Sequence, residues 1–143
     1  MPSATGDVLI DRSPEVVFAY LADAANDRAW RPGVLEIALV SGAGVGTRYR
    51  QVVGGPGGRR VDADIEITAC EPPTRLAFRT ISGPVRPTGG YVLEDVDGAT
   101  RVRLTLSVEL TGLKKALSPM VSRTMATEVG NLANLKRVLE DAA

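Results

Sequence analysis

The sequence predicts an α+β domain, in which consecutive antiparallel strands are covered by one long C-terminal helix. Apolar and polar residues alternate through much of the region from Leu35 to Leu110, which is the period of half-buried strands. Glycine-containing turns separate these strands by a few residues, and such short connections favour antiparallel neighbours. A helical period returns after Gly112 and provides the only long amphipathic element able to cover the sheet.

The chain opens with a short strand and a short helix. Residues 7–10 have the composition of a strand, and the Ser-Pro-Glu of residues 13–15 then supplies an N-cap, a proline for the first helical position and an early acid. Apolar residues three to four apart continue this helix until the polar cluster 23–28 ends it. Pro32 cannot continue a helix, so a turn is predicted there that inserts Trp30 into the interior.

The strands that follow are bounded by residues that interrupt them. The glycine-rich segment 54–58 is predicted to be a loop, the Pro-Pro pair at 72–73 ends a strand, and residues 95–98 form a hairpin turn. The last strand is the clearest, because Val102, Leu104 and the alternate residues after them are aliphatic. The predicted strands cover residues 35–40, 47–53, 61–69, 75–81, 88–94 and 101–110.

The final element is one helix from Pro119 to Glu140. At 1.5 Å per residue it would be on the order of 30 Å long, enough to cross a small sheet. A single apolar stripe runs along it, and it consists of Leu117, Met120, Val121, Met125, Val129, Leu132, Leu135 and Leu139. The apolar face of the sheet and this stripe are therefore expected to pack together.

Composition limits the classes of function. We interpret the 143 residues as a single domain over 1–143, since no linker or internal repeat interrupts them. Lysine plus arginine number 17 and aspartate plus glutamate number 17, so no net charge favours nucleic acid or an anionic membrane. The single Cys70, the absence of a signal-peptide pattern and the absence of a membrane-spanning run predict a cytoplasmic protein.

The chain contains no histidine. This removes the commonest general base, the usual partner of a serine or cysteine nucleophile and the commonest zinc ligand. Any chemistry would have to use carboxylates, tyrosine, arginine or bound water. No catalytic residue is predicted, no cofactor or metal is expected, and enzymatic activity stays open.

Three motifs contain residue types that could bind a phosphate or a metal ion or act as a nucleophile. The glycines of residues 42–46 suggest a phosphate loop, but a strand pattern follows them, which favours a hairpin turn. Asp62, Asp64 and Glu66 could together hold a cation, but their alternation with apolar residues indicates a solvated face. Cys70 has no histidine to activate it, so we interpret it as inert.

Several segments resemble one known superfamily, and together they cover essentially the entire chain. These segments are residues 13–18, 30–34, 46–49, 71–76, 98–102 and 132–140. In order and spacing they resemble the START-like, birch-pollen-allergen-like (SRPBCC) superfamily and, within it, the bacterial polyketide cyclase/dehydrase branch. The resemblance implies a helix-grip fold, in which a seven-stranded curved antiparallel sheet surrounds the long C-terminal helix, with short helices near the N-terminus and a cavity between.

The resemblance implies three alternative functions. The first is binding of a small hydrophobic or polycyclic ligand, such as a lipid or a polyketide-like molecule, in the cavity. The second is an aromatase/cyclase or dehydrase enzyme, and the third is a co-chaperone-like protein-interaction module. A homodimer is an open alternative to a monomer, and no integral membrane contact is expected.

Aromatic and adaptable side chains are the candidates for contact with that ligand. Tyrosine could supply hydrogen bonds inside an aliphatic cavity, methionine adapts to irregular shapes, and a threonine hydroxyl can orient a polar group. Core packing is the alternative role for each of them. The predicted ligand-binding residues are Trp30, Tyr49, Phe78, Tyr91, Leu106, Met120, Thr124 and Met125.

Overall fold

A computed structural model describes residues 2–141 of the chain. Eight strands form one antiparallel sheet, and three α-helices accompany it. The strands are β1 (Ser3–Ile10), β2 (Val34–Ser41), β3 (Arg48–Gly54), β4 (Arg60–Asp62), β5 (Ile65–Glu71), β6 (Arg75–Thr80), β7 (Thr88–Val96) and β8 (Ala99–Ser107). The helices are α1 (Pro14–Ala22), α2 (Ser118–Gly130) and α3 (Leu132–Asp141), and short 3-10 segments cover Ala24–Ala29, Pro56–Gly58 and Gly112–Leu117.

The strands follow the order β1-β8-β7-β6-β5-β3-β2, with β4 beside β3. Neighbours in the sheet are mostly neighbours in sequence, as the short turns predict. There are two exceptions: β3 pairs with β5 as well as with β4, and β1 pairs with the last strand from Ser3 opposite Ser107 to Ile10 opposite Thr100. The predicted α+β, helix-grip architecture is confirmed.

The predicted strand over residues 61–69 is wrong in one respect, because the structure divides it into β4 and β5. Asp64 lies at the break, and its backbone N–H donates to the Ser82 Oγ at 2.8 Å. Its carboxylate accepts the backbone N–H of Gln51 at 3.1 Å. Side chains therefore satisfy backbone groups that the regular ladder would otherwise pair. This break accounts for an eighth strand where the resemblance implies seven.

The N-terminal helix begins as the sequence predicts. Ser13 accepts the backbone N–H of Val16 at 3.4 Å, and Pro14 occupies the first turn. Asp23 then caps the 3-10 segment by accepting the N–H of Ala25 at 3.2 Å. Two successive caps thus bring the chain across one end of the sheet, where Trp30 is buried.

The C-terminal helical segment has one interruption, at Asn131. Its backbone remains right-handed (φ −67°, ψ −9°), and its N–H is shared between the carbonyls of Thr127 and Glu128, both at 3.1 Å. The preceding Gly130 is a weak helix former, which locates the interruption there. The long predicted helix over 119–140 is therefore present as α2 and α3 in succession.

Both halves of this segment pack against β1. Gly6 of β1 permits the approach of α2, because a Cβ at this position would collide with the Val129 side chain. The largest fully enclosed side chains are Trp30, Ile10, Leu135, Val17 and Val102. They place the filled part of the core under α1, α3 and the strands β1 and β8.

Candidate functional site: a cavity between the sheet and α2

A cavity of about 610 Å³ lies between the sheet and α2. This volume is within the range of small-molecule sites, roughly 300 to 1,000 Å³. Most of its lining is aliphatic or aromatic, and the members from regular elements include Ile65 and Ile67 of β5, Leu76 and Phe78 of β6, Tyr91 of β7, Leu104 and Leu106 of β8, and Met120, Val121 and Met125 of α2. Alternation along the strands turns these side chains inward.

The exposed members of the lining mark the opening. They come from four places: the β3–β4 hairpin with Pro56 and Asp62, the β6–β7 connection with Pro84, one side of α2 with Met120 and Thr124, and Pro32 before β2. A ligand would enter between the helix and the two loops that contain Pro56 and Pro84. Prolines restrict both loops, which favours an opening that keeps its shape.

A network of charged and polar side chains forms one part of the cavity wall, with Arg31 at its centre. The Arg31 Nε donates to the Glu128 Oε2 at 2.8 Å, and its Nη1 donates to the Asp27 Oδ2 at 3.0 Å and to the Gln51 Oε1 at 3.1 Å. Gln51 is anchored in turn, because its Nε2 donates to the Ala63 carbonyl at 2.9 Å. We call these four side chains, Asp27, Arg31, Gln51 and Glu128, the polar cluster.

Burial perturbs the charges of the polar cluster. It raises the pKa of Asp27 to about 6; the adjacent Arg31 charge opposes this rise, while Glu128 adds to it. Burial also acts to lower the pKa of Arg31, but the Glu128 and Asp27 carboxylates outweigh it, so the net shift is upward. Arg31 therefore stays protonated, whereas Asp27 changes its charge close to neutral pH.

The Trp30 indole is the neighbour of this cluster on the core side. Its N–H is buried without a hydrogen-bond partner, the single such side-chain atom among residues 2–141. It lies close enough to help lower the pKa of Asp27, although burial dominates that pKa. Trp30 thus contributes a donor toward Asp27 from the filled core.

Tyr91 differs from the cluster because its hydroxyl has no partner in the part of the chain that the structure describes. The side chain is only 5% exposed and lines the cavity, yet its oxygen retains accessible surface. Burial, with the Asp27 charge adding to it, raises the pKa of Tyr91, so the hydroxyl stays a neutral donor. Thr80, also buried and in the lining, is a second hydroxyl without a side-chain hydrogen bond.

Six of the eight predicted ligand-binding residues lie in the cavity lining. They are Phe78, Tyr91, Leu106, Met120, Thr124 and Met125. Whether any of them contacts a ligand stays a prediction. The Thr124 hydroxyl donates to the Met120 carbonyl at 3.1 Å, which is an internal bond of the helix.

The structure places Trp30 and Tyr49 outside the lining. Tyr49 is buried beneath α1, where its hydroxyl donates to the Ala22 carbonyl at 3.3 Å and accepts the N–H of Ala24 at 3.4 Å. Trp30 packs edge-on against Tyr91 with ring centroids 6.4 Å apart. Both side chains therefore fill the core next to the cavity.

Sequence reasoning missed the polar cluster, although two of its members carried a signal. Glu128 follows Met125 by three residues and precedes Leu132 by four, so it lies on the apolar stripe of the helix. Gln51 is two residues from Tyr49 and shares its inward phase on β3. A charged or amide side chain at a position that periodicity reserves for the core indicates a buried polar network.

The other motifs have structural roles. Gly42, Gly44 and Gly46 adopt φ values of 94°, 65° and 90° in the β2–β3 turn, which confirms the hairpin interpretation. Glu66 accepts hydrogen bonds from Arg48 at 3.1 Å and Arg79 at 2.8 Å. Between residues 2 and 141, no group of acidic or cysteine side chains could hold a metal ion, and no helix is long and apolar enough to cross a membrane.

Comparison with protein families identifies one match, which covers residues 1–140. That family is described as polyketide cyclase/dehydrase and lipid transport. No curated protein matches the chain.

Three solved structures show how widely the fold is shared. The protein TTHA0849 from Thermus thermophilus is 26% identical with a TM-score of 0.83, covering 99% of this chain and 100% of that one. The di-domain ARO/CYC protein BexL from the BE-7585A biosynthetic pathway is 23% identical with a TM-score of 0.78, covering 98% of this chain and 47% of that one. A START superfamily protein from Mycobacterium smegmatis is 14% identical with a TM-score of 0.79, covering 99% of each chain.

Proposed function

The chain belongs to the polyketide cyclase/dehydrase and lipid transport family, and we propose that it binds a small hydrophobic or polycyclic molecule in the cavity between the sheet and α2. One observation carries this proposal: the cavity of about 610 Å³ has a mostly apolar lining and an opening beside α2. Family members and structural neighbours of different function share this fold, so the site and not the fold supports the assignment.

The apolar lining provides the driving force for binding. Burial of apolar ligand surface contributes about 25 cal/mol per Å² of area removed from water. The hydroxyls of Tyr91 and Thr80 would add hydrogen bonds and orient the ligand.

An aromatase/cyclase or dehydrase activity is the second candidate, and the polar cluster favours it. A buried carboxylate whose pKa is about 6, as for Asp27, is suited to proton transfer near neutral pH. Tyr91 lies in the same cavity and could donate a hydrogen bond to a carbonyl. Binding remains the conclusion, because Arg31 already engages the carboxylates of both Asp27 and Glu128.

A co-chaperone-like interaction module is the least supported alternative. Such a module needs an exposed apolar surface and no cavity. In such a module the unfilled volume under α2 would lower the stability of the fold without serving the function.

Native mass spectrometry of freshly purified protein tests the proposal directly. We expect a fraction of the protein to carry an additional organic mass, whose identity would name the ligand class. An apolar dye such as N-phenyl-1-naphthylamine would report on the same cavity by its fluorescence. Failure to retain any molecule and failure to bind the dye would contradict the proposal.

A pair of tryptophan variants locates the binding. Leu106→Trp combined with Met125→Trp fills the cavity from β8 and α2, and we expect at least a tenfold loss of dye affinity. The matched control combines Thr105→Trp with Ala126→Trp, the exposed neighbours on the same two elements, and should retain affinity within about twofold. Equal loss in both pairs would indicate binding elsewhere.

A further inference from the structure

We propose that Asp27 and Glu128 make this cavity select uncharged, oxygen-bearing ligands over organic anions of the same skeleton. This rests on the proposed binding function and names the chemical class that the site accepts. Arg31 is the less exposed of the two cations in the lining, so it is the natural counter-ion for an anionic ligand.

Three of the five N–H donors of Arg31 are already engaged by protein acceptors. Its Nε and Nη1 donate to Glu128, Asp27 and Gln51 at 2.8 to 3.1 Å. Two carboxylates against one guanidinium leave a formal charge of −1 when both are ionised. A ligand carboxylate that approached the remaining Nη2 would therefore meet net negative charge at this wall.

The rest of the lining does not reverse this balance. Five charged residues line the cavity, and they are Asp27, Asp62 and Glu128 against Arg31 and Arg123. Arg123 and Asp62 are exposed, so water and salt screen them. The buried charges of the polar cluster thus dominate the potential inside the cavity.

Two neutral hydroxyls in the lining remain for a ligand. Tyr91 and Thr80 are buried residues of the lining, and their hydroxyls retain accessible surface and have no hydrogen-bond partner within residues 2–141. Each can donate to a carbonyl or accept from a hydroxyl. Ketones, quinones and phenols therefore complement this wall, whereas a carboxylate or sulfonate must be desolvated beside a cluster of net negative charge.

Two dyes of one skeleton test this selectivity: 1,8-dihydroxyanthraquinone and its 3-carboxylic acid. Their dissociation constants would be measured at pH 7 by fluorescence quenching of Trp30, the only tryptophan. For the unaltered protein we expect the neutral quinone to bind at least tenfold more tightly than the carboxylate.

Glu128→Gln distinguishes charge from shape. Glutamine keeps an oxygen that can accept from Arg31 but removes one negative charge. We expect the ratio of the carboxylate affinity to the neutral-quinone affinity to rise about tenfold, because only the carboxylate gains from the loss of a negative charge. Glu109→Gln, an exposed acid outside the cavity lining, is the matched control and should alter neither affinity.

The outcomes separate this inference from the proposed function. If both dyes bind equally, and Glu128→Gln affects neither, then the selectivity is wrong while binding stands. If the carboxylate binds more tightly to the unaltered protein, the charge argument is overturned in the same way. If neither dye binds and no molecule copurifies, the proposed function and the selectivity fail together.

Discussion

The two halves of the C-terminal helical segment perform different tasks, and α3 is the more strongly amphipathic of the two. In α3 the apolar stripe of Leu132, Leu135 and Leu139 is fully buried against the core, and no residue of this helix lines the cavity. In α2 only Val121 and Met125 are buried, and both line the cavity. Close packing along α3 therefore supports the open space beneath α2.

This difference shows how a small domain can hold a void. An apolar cavity costs stability, because its lining lacks packing contacts. The filled end around Leu135, Ile10 and Val102 supplies compensating burial. The interruption at Asn131 separates the two halves, so α2 contacts β1 through Val129 yet leaves a cavity between itself and the middle of the sheet, while α3 stays packed.

The largest predicted effect is a loss of stability when a side chain is removed from the filled half. Leu135→Ala removes a side chain with no exposed surface and should lower the free energy of unfolding by roughly 4 kcal/mol, because a new cavity forms in a packed region. Met125→Ala, which enlarges an existing void, should cost at least about 1 kcal/mol less. Urea unfolding of both variants would measure the difference, and equal losses would show that the halves are packed alike.

The next prediction concerns the charge beside the cavity. The pKa of Asp27 is raised to about 6 by burial, against 3.8 for the ordinary group. The folded state thus binds a proton more tightly than the unfolded state, so the stability from this group is present below about pH 4 and lost as pH rises through 6. Asp27→Asn removes this dependence.

Relative to the unaltered protein, the Asp27→Asn variant should gain about 3 kcal/mol between pH 4 and pH 8, since one pKa unit corresponds to about 1.4 kcal/mol. Denaturant unfolding at several pH values would measure it. Glu15→Gln, an exposed acid on α1, is the control and should leave the pH profile unchanged. If the difference in unfolding free energy between the unaltered protein and Asp27→Asn did not change with pH, the raised pKa of a buried Asp27 would be contradicted.

The smallest predicted effects distinguish a tyrosine of the filled core from a tyrosine of the cavity lining. Tyr49→Phe removes a hydroxyl that bonds the Ala22 carbonyl and the Ala24 N–H, and should cost about 1 kcal/mol of stability without changing ligand affinity. Tyr91→Phe removes an unpartnered hydroxyl and should change stability by less than about 0.5 kcal/mol. It should weaken binding of 1,8-dihydroxyanthraquinone several-fold. If Tyr49→Phe weakened binding and Tyr91→Phe did not, the ligand would lie near Tyr49 and not in the cavity.

Much of the fold was predictable because it depends on local patterns. Alternation located the strands, and the Ser13 cap and Pro14 located α1. The division between β4 and β5 was not predictable, since it depends on Asp64 meeting Gln51 and Ser82 from other strands. The same reason applies to Tyr49. Alternation along β3 predicts that its side chain points inward, but its hydrogen-bond partners Ala22 and Ala24 could not be predicted.

The class of the fold, the apolar faces and the absence of histidine chemistry follow from periodicity and composition, which are properties of the chain alone. Which apolar residues surround space and which fill it depends on tertiary packing. The polar cluster depends on tertiary packing too, because Gln51 and Glu128 lie far in sequence from Asp27 and Arg31. Their mutual distances, on which charge and hydrogen bonding depend, exist only after the sheet and α2 have packed.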